Sequence, residues 1–141
     1  FINRYFMIYP EVKDYLDKVV NITKQTGFTE TIFGRRRYMP EINSSNGALR
    51  QFAERTAKNA PIQGAAADVI KLAMVAVDKK FSELGLKSKL IAQVHDELVV
   101  DTLKEEENIV KKILKEVMEG VVSLDVLLEA ELSWGDNWDM K

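Results

Sequence analysis

The stretch IAQVHDELVVD, Ile91 to Asp101, decides how this chain is read. Two apolar runs, Leu90 to Val94 and Leu98 to Val100, flank three adjacent polar residues, His95, Asp96 and Glu97. Both runs are short enough for strands and rich in valine and isoleucine. The simplest arrangement is an antiparallel hairpin with His95 to Glu97 at or near its turn. Turn tips favour Gly, Asn, Pro and Ser, and this one has none of them. Its two acids also abut apolar residues on both sides, where neighbouring like charges are costly unless a cation compensates. Mg²⁺, a hard ion satisfied by one or two carboxylates plus substrate phosphates, would do so, with a further carboxylate from elsewhere. The bland alternative is a polar hairpin turn with no chemistry. A Ser-His-Asp triad is disfavoured, because neighbours along a strand point to opposite faces and Asp96 cannot readily orient His95.

Upstream of this hairpin the pattern is helical. Ala48 to Leu84 carries helical spacing through Phe52, Ala60, Val69, Ile70, Ala73, Val77 and Phe81, with Gly85 as its break. Pro61 should kink it, since proline removes one backbone donor and crowds the preceding turn. Earlier still, residues 1 to 25 read as helix interrupted near Pro10, with Val12, Tyr15, Leu16 and Val19 as the apolar face. The stretch GFTETIFGRRRYMP reads as a second hairpin, Phe28 to Phe33 and Arg36 to Met39 around Gly34, closed by Pro40. NSSNG, Asn43 to Gly47, is loop and cap chemistry. Downstream, residues 104 to 121 form an amphipathic helix with Ile109, Val110, Ile113, Leu114, Val117 and Met118 inward. Val126, Leu128, Ala130, Leu132 and Trp134 alternate with Leu127, Glu129, Glu131 and Ser133, which predicts a half-buried final strand. The expected class is α+β, an antiparallel sheet with helices on one face. No repeat, low-complexity tract or long linker divides the chain.

Bulk properties limit the chemistry. The 141 residues amount to one domain or a piece of one, and 46% hydrophobic content suffices for a core. With no cysteine and one histidine, a structural zinc site, a disulfide frame and a thiol nucleophile are excluded, so any metal must be held by oxygen. No window approaches the roughly 18 to 20 continuous apolar residues of a membrane span, and no signal-peptide pattern opens the chain; the expected compartment is the cytosol. The chain starts at Phe1, without an initiator methionine and already inside an amphipathic pattern, as a portion of a longer polypeptide would. Net charge is -2, but unevenly spread: 0 over residues 1 to 34, +4 over 35 to 71, +2 over 72 to 92 and -8 over 93 to 141. A basic stretch beside an acidic cluster suits an enzyme that acts on a phosphate backbone through metal ions, although chance also produces it.

A second constellation lies in ERTAKNAPIQGAAAD, Glu54 to Asp68. Arg55, Asn59 and Gln63 are spaced four apart and share one slowly drifting helical face. All three are hydrogen-bond donors. Every Watson-Crick pair presents minor-groove acceptors in nearly equivalent places, so such donors check pair geometry without reading sequence. Gly64 and Ala65 to Ala67 leave room for close approach of a backbone or ligand. The alternative is an ordinary solvated face. Arg35, Arg36 and Arg37 are further candidates for phosphate contact, against the alternative of a solvated turn.

Taken together, YPEVKDYLDKVV, TIFGRRRYMPEINSSNG, ERTAKNAPIQGAAADVIKLAM, QVHDELVVD and the closing WGDNW resemble the C-terminal part of the bacterial DNA polymerase I family, the family A DNA polymerases, over essentially the whole chain. That resemblance implies an incomplete polymerase domain, an antiparallel palm-type sheet packed against long helices. Residues 1–46 would be a fingers-side helix and hairpin, 47–84 a long kinked helix, and 85–141 the palm hairpin, helix and final strand. It implies that Asp96 is a ligand of a catalytic Mg²⁺ pair, that Glu97 is an acid near the metals and primer end, and that His95 lies close to the primer terminus. Arg55, Asn59 and Gln63 match positions that contact the minor groove at the terminal primer-template pairs. Arg35, Arg36, Arg37, Ser45, Asn46 and Arg50 fall in regions that meet the nucleic-acid backbone. Family members often carry threonine where this chain has Ala65.

The family's other metal-binding aspartate, in a DYSQIELR-like segment, is absent from these residues, as is the fingers helix that binds the incoming deoxynucleoside triphosphate. The resemblance therefore implies a two-metal site completed by an upstream remainder of the polymerase, with primer-template DNA as partner, no membrane, and a bacterial cytoplasmic, nucleoid-associated setting. The isolated chain is then expected to transfer little or no nucleotide. Two other readings stand beside it. One is a non-catalytic module that binds primed duplex through the Arg55 face; the other is a Mg²⁺-dependent phosphoesterase that recruits Asp68 or Asp101.

Overall fold

The computed structural model describes residues 2–137 and divides into two compact units, Phe1–Ala65 and Ala66–Lys141. The division falls inside the longest helix, so each unit is built around its own part of that helix. Trp138, the last residue of the WGDNW motif, lies outside the described residues.

In the first unit, α1 (Ile2–Ile8) and α2 (Pro10–Thr26) are separated at Tyr9, and Pro10 opens α2, where its missing N–H is no loss. Gly27 closes α2 in the left-handed conformation, φ 77°, with its N–H on the Thr23 carbonyl at 2.8 Å. The chain then forms an antiparallel hairpin of β1 (Phe28–Glu30) and β2 (Arg36–Tyr38), in register Phe28 with Tyr38 and Glu30 with Arg36. A 3₁₀ turn, Pro40–Asn43, leads to α3 (Gly47–Glu83).

Ile42 and Met39 bury themselves against Ala53, Ala57 and Ala60. The buried face of α3 here is thus a row of alanines, and Phe52, expected to point inward, is 60% exposed. Small side chains let the 3₁₀ turn press close to the helix; a phenylalanine at that interface would hold it off. Lys24–Glu54 at 2.6 Å and Lys58–Asp17 at 3.7 Å also join α2 to α3. Partly exposed pairs of this kind are screened by solvent and contribute little, whereas fully burying Ile42 contributes roughly 1.5–3 kcal/mol, so packing dominates. In α2 the buried positions are Val20 and Thr23, while Val12 and Tyr15 are exposed.

In the second unit, α3 ends at Gly85, φ 64°, and the Leu86 N–H reaches back to the Phe81 carbonyl at 3.0 Å. β3 (Lys89–Val94) and β4 (Glu97–Asp101) then pair antiparallel, with a bulge between Leu90 and Ala92, and α4 (Glu107–Gly120) follows a 3₁₀ turn at Lys104–Glu106. The core is Val77, Phe81, Val110, Ile113 and Leu114, with Leu86, Leu98, Val100 and Val117 packed against it. Ile109, expected inward, is exposed. The antiparallel pairing is therefore distributed over two separate two-stranded sheets, one in each unit.

The expected final strand does not form among the described residues. Val126 to Trp134 runs without sheet pairing, and Leu127 is 91% exposed. Alternation encodes a face, but a strand exists only through a neighbour's ladder of hydrogen bonds, and here the segment is held otherwise. The Ala130 N–H donates to Glu119 Oε1 at 3.2 Å, and Lys111 Nζ sits 4.5 Å over the Trp134 ring.

One polar clasp steadies the loop that enters β3. The Glu106 carboxylate accepts the backbone N–H groups of Lys87 and Ser88 and the Ser88 hydroxyl, which in turn accepts the Leu103 N–H at 3.1 Å. The Lys87 N–H foremost, then the Ser88 hydroxyl and N–H, hold the Glu106 carboxyl below the usual glutamate range. A carboxyl held low in the fold contributes stability at pH above its unfolded value, and that contribution is lost as pH falls through its folded value. Acid titration of thermal stability is expected to show this loss below the usual carboxylate range, and Glu106→Gln to flatten it while lowering Tm at neutral pH. An acid profile identical in wild type and variant would show the clasp to be inert.

Candidate functional site

The second unit presents a carboxylate tip. Val94 and Glu97 make the last cross-strand pair, so His95 and Asp96 form a two-residue turn. Such turns need positive φ, and His95 supplies it at φ 54°, the only non-glycine residue among those described with positive φ. Histidine, with Asn and Asp, is among the side chains that tolerate this conformation best. The turn requirement is thus met by the histidine itself. The Gln93 side-chain amide donates to the His95 carbonyl across the turn.

His95, Asp96 and Glu97 are all exposed, and β3 is itself largely uncovered, with Ile91 61% exposed. The acids therefore do not press against buried strands on both sides, as the apolar runs suggested. Only β4 is seated, through Leu98 and Val100 on the core. An exposed carboxylate pair on a seated strand fits a hard divalent cation, which takes oxygen ligands and keeps waters or phosphates in its remaining positions. It fits as part of a site: among the described residues no group of three His, Asp or Glu side chains is placed to hold a metal ion. Asp101 cannot complete it, because it pairs with Lys89 at the far end of β4, four residues and about 13 Å from Glu97 along the strand.

The first unit presents the donor row. Arg55, Asn59 and Gln63 are all exposed, opposite the buried Ala53, Ala57 and Ala60, and none has a partner among the described residues. Successive members stand about 6 Å apart along α3, so the row covers about 12 Å, the length of three to four base-pair steps.

The three arginines of the β1–β2 hairpin separate into different uses. Arg35 donates from Nη2 to the Gly64 carbonyl at 2.8 Å. Arg36 pairs with Glu30 at 2.7 Å and lies 4.4 Å over the Phe28 ring. Arg37 is exposed and without a partner among the described residues. Of the N-terminal α3 candidates, Asn46 caps the helix, its Oδ1 accepting the Ala48 N–H at 3.0 Å, and Arg50 donates to the Ser44 carbonyl at 2.9 Å. Ser45 is exposed and unpartnered among the described residues. The room beside Gly64 is filled by the protein itself: a Cβ there would stand 2.5 Å from Thr31 Cγ2 and 3.2 Å from Arg35 Nη2. Sequence reasoning missed the supporting roles of Gln93 and Thr31. The only available signal was position, an amide two residues before the turn and a small β-branched residue at a hairpin tip.

Comparison with known proteins identifies the family. A family model described as DNA polymerase family A matches residues 1–140. DNA polymerase I of Caldicellulosiruptor bescii is 52% identical over 138 residues, covering 98% of this chain and 16% of that protein. DNA polymerase I of Pseudomonas aeruginosa is 49% identical over 139 residues, covering 99% of the chain and 15% of that protein. Among solved structures, the polymerase domain of Pol1 from M. smegmatis, in complex with DNA primer-template and dNTP, superposes with a TM-score of 0.95 at 44% identity, covering 98% of this chain and 24% of that one. The chain spans about a sixth of the length of the curated relatives it matches.

Proposed function

The chain belongs to DNA polymerase family A, and from that premise we propose that it forms the C-terminal palm and fingers-side portion of a template-directed DNA polymerase acting in replication and repair. The observation that carries the reading is the exposed Asp96–Glu97 pair at the tip of a hairpin seated on the second unit's core. Asp96 is assigned as a ligand of Mg²⁺, Glu97 as its acidic neighbour, and His95 as the group beside the primer end. When bound, a Mg²⁺ pair would activate the primer 3'-hydroxyl and neutralise the leaving pyrophosphate. The protein's own part is to hold these side chains still: β4 fixes Glu97, and the left-handed turn sets Asp96 next to it. Arg55, Asn59 and Gln63 are assigned to the minor-groove acceptors of the terminal base pairs, and Arg37 and Ser45 to the backbone. Arg36, Asn46 and Arg50 stand in that same region but spend their side chains on the protein.

Because the carboxylate set is incomplete, the chain by itself is expected to transfer little or no nucleotide. A non-catalytic primer-template module is the second reading, and the complete donor row, unpartnered among the described residues, favours it for the isolated chain. The phosphoesterase reading is weakened by the distance of Asp101 and by Asp68, which already has an interaction partner. By length and composition α3 could cross a membrane, yet the helix that passes this test also carries the row of Arg55, Asn59 and Gln63. We place the protein in the bacterial cytoplasm, at the nucleoid.

Anisotropy of a labelled primer-template over a range of salt tests the reading. Log affinity should fall linearly with log salt, and Arg55→Ala and Gln63→Ala should each weaken binding by about 1–3 kcal/mol, as loss of a base-edge contact does. Salt-independent binding, or two silent substitutions, would remove the donor row from the account.

A further inference from the structure

Gln63 is the last donor of the row, and it stands where α3 is least able to hold itself. Pro61 has no N–H, so the Ala57 carbonyl lacks its partner one turn on, and the turn that carries Gln63 begins with a missing rung. The β1–β2 hairpin meets the helix at this place. The Arg35 guanidinium donates to the Gly64 carbonyl at 2.8 Å, a charge-assisted bond to the peptide immediately after Gln63. Thr31, buried, packs so tightly on Gly64 that no Cβ fits between them. The tip that delivers both residues is itself braced: Thr31 Oγ1 accepts the N–H groups of Phe33 and Arg35 at 3.3 Å each, and the Gly34 N–H donates to the Thr31 carbonyl at 2.9 Å.

We propose that Arg35 is a positioning residue for the primer-terminus row, acting on DNA through Gln63 and not through a phosphate. The inference rests on the functional reading above. It divides the arginine run by role: Arg37 meets the polyanion, Arg36 closes the hairpin, and Arg35 sets the register of the helix turn that checks the terminal base pair. Specificity for a matched primer end then depends on a residue that never touches DNA.

A double-mutant cycle in the polymerase that carries this chain tests it, with extension from matched and mismatched primer ends and the salt dependence of primer-template affinity as readouts. Arg35→Ala should cut the preference for matched ends by about tenfold in the wild-type background and by less than about twofold when Gln63 is already alanine. Its salt slope should stay unchanged, whereas Arg37→Ala should reduce the slope by about 1. Arg35→Lys covers the case in which Arg35→Ala fails to fold. Lysine keeps the charge but not the guanidinium that reaches the Gly64 carbonyl, so it should mimic alanine here, while a phosphate contact would tolerate it. Additive effects, a slope lowered by Arg35→Ala, or a silent Arg35→Lys would each overturn the proposal and return Arg35 to the phosphate contacts. A silent Gln63→Ala would instead overturn the donor-row reading, and the proposal for Arg35 with it.

Discussion

Asp96→Ala in the polymerase that carries this chain should lower the rate of nucleotide incorporation by about 10³-fold or more, and leave primer-template affinity within about threefold of wild type. The size follows from what a divalent ion contributes: several kcal/mol of charge stabilisation, at about 1.36 kcal/mol per factor of ten in rate. The selectivity follows from the structure. Asp96 is exposed at a turn whose backbone conformation is set by His95 at φ 54° and by the seat of β4 on the core. Removing its carboxylate therefore takes away the proposed metal ligand without disturbing a fold, and the donor row proposed to grip DNA belongs to the other unit. Glu97→Gln should cost less, about 10-fold to 100-fold, since a neighbouring acid shapes the field without being indispensable to coordination. Single-turnover incorporation beside anisotropy separates the two effects. If Asp96→Ala loses DNA affinity and rate in equal measure, the residue is a structural or binding element and its assignment to the metal fails.

How much of this was legible in the sequence depended on whether a signal was local. The spacing predicts a long helix over Ala48 to Leu84 and α3 runs Gly47–Glu83, because its limits are written in adjacent residues, the Asn46 cap and the Gly85 break. The carboxylate hairpin was legible for the same reason. Which face of α3 is buried was not: periodicity marks Phe52, the buried row starts one residue on at Ala53, and the choice of the alanine row depends on how closely Met39 and Ile42 approach from another element. The arginine run shows the same limit in a functional residue. GRRRY gives three equal cations, and only the hairpin's fold against Gly64 and Glu30 assigns two of them to the protein. The final strand fails differently, since its alternating pattern specifies a face but cannot supply the neighbour that would make it a strand. Its residues lie over α4, fastened by Glu119 and Lys111.

Phe81→Ala should destabilise the second unit by about 3–5 kcal/mol, the usual cost of deleting a buried aromatic side chain and leaving its cavity. Phe81 is 4% exposed and sits among Val77, Val110, Ile113 and Leu114, with its carbonyl also tied to the Leu86 N–H. Against a total stability of about 5–15 kcal/mol this is a large fraction, enough to populate locally open states. The effect should reach the functional tip by a definite route. Leu98 and Val100 are the side chains that seat β4, and they rest on this core; β3 contributes little burial of its own and follows β4. Hydrogen exchange should therefore show the β4 amides losing protection together with α4, while the amides of β1 and β2, which belong to the other unit with its own core, keep theirs. Incorporation should fall in step with the lost protection, in contrast to Asp96→Ala, where rate falls and protection is unchanged. If β3 and β4 stay protected in Phe81→Ala while α4 exchanges freely, the hairpin is held by something other than the core beneath it. Packing and catalysis would then be separable in a way this fold does not suggest, because a two-stranded sheet alone is marginal in water and must borrow its rigidity from the helices it lies on.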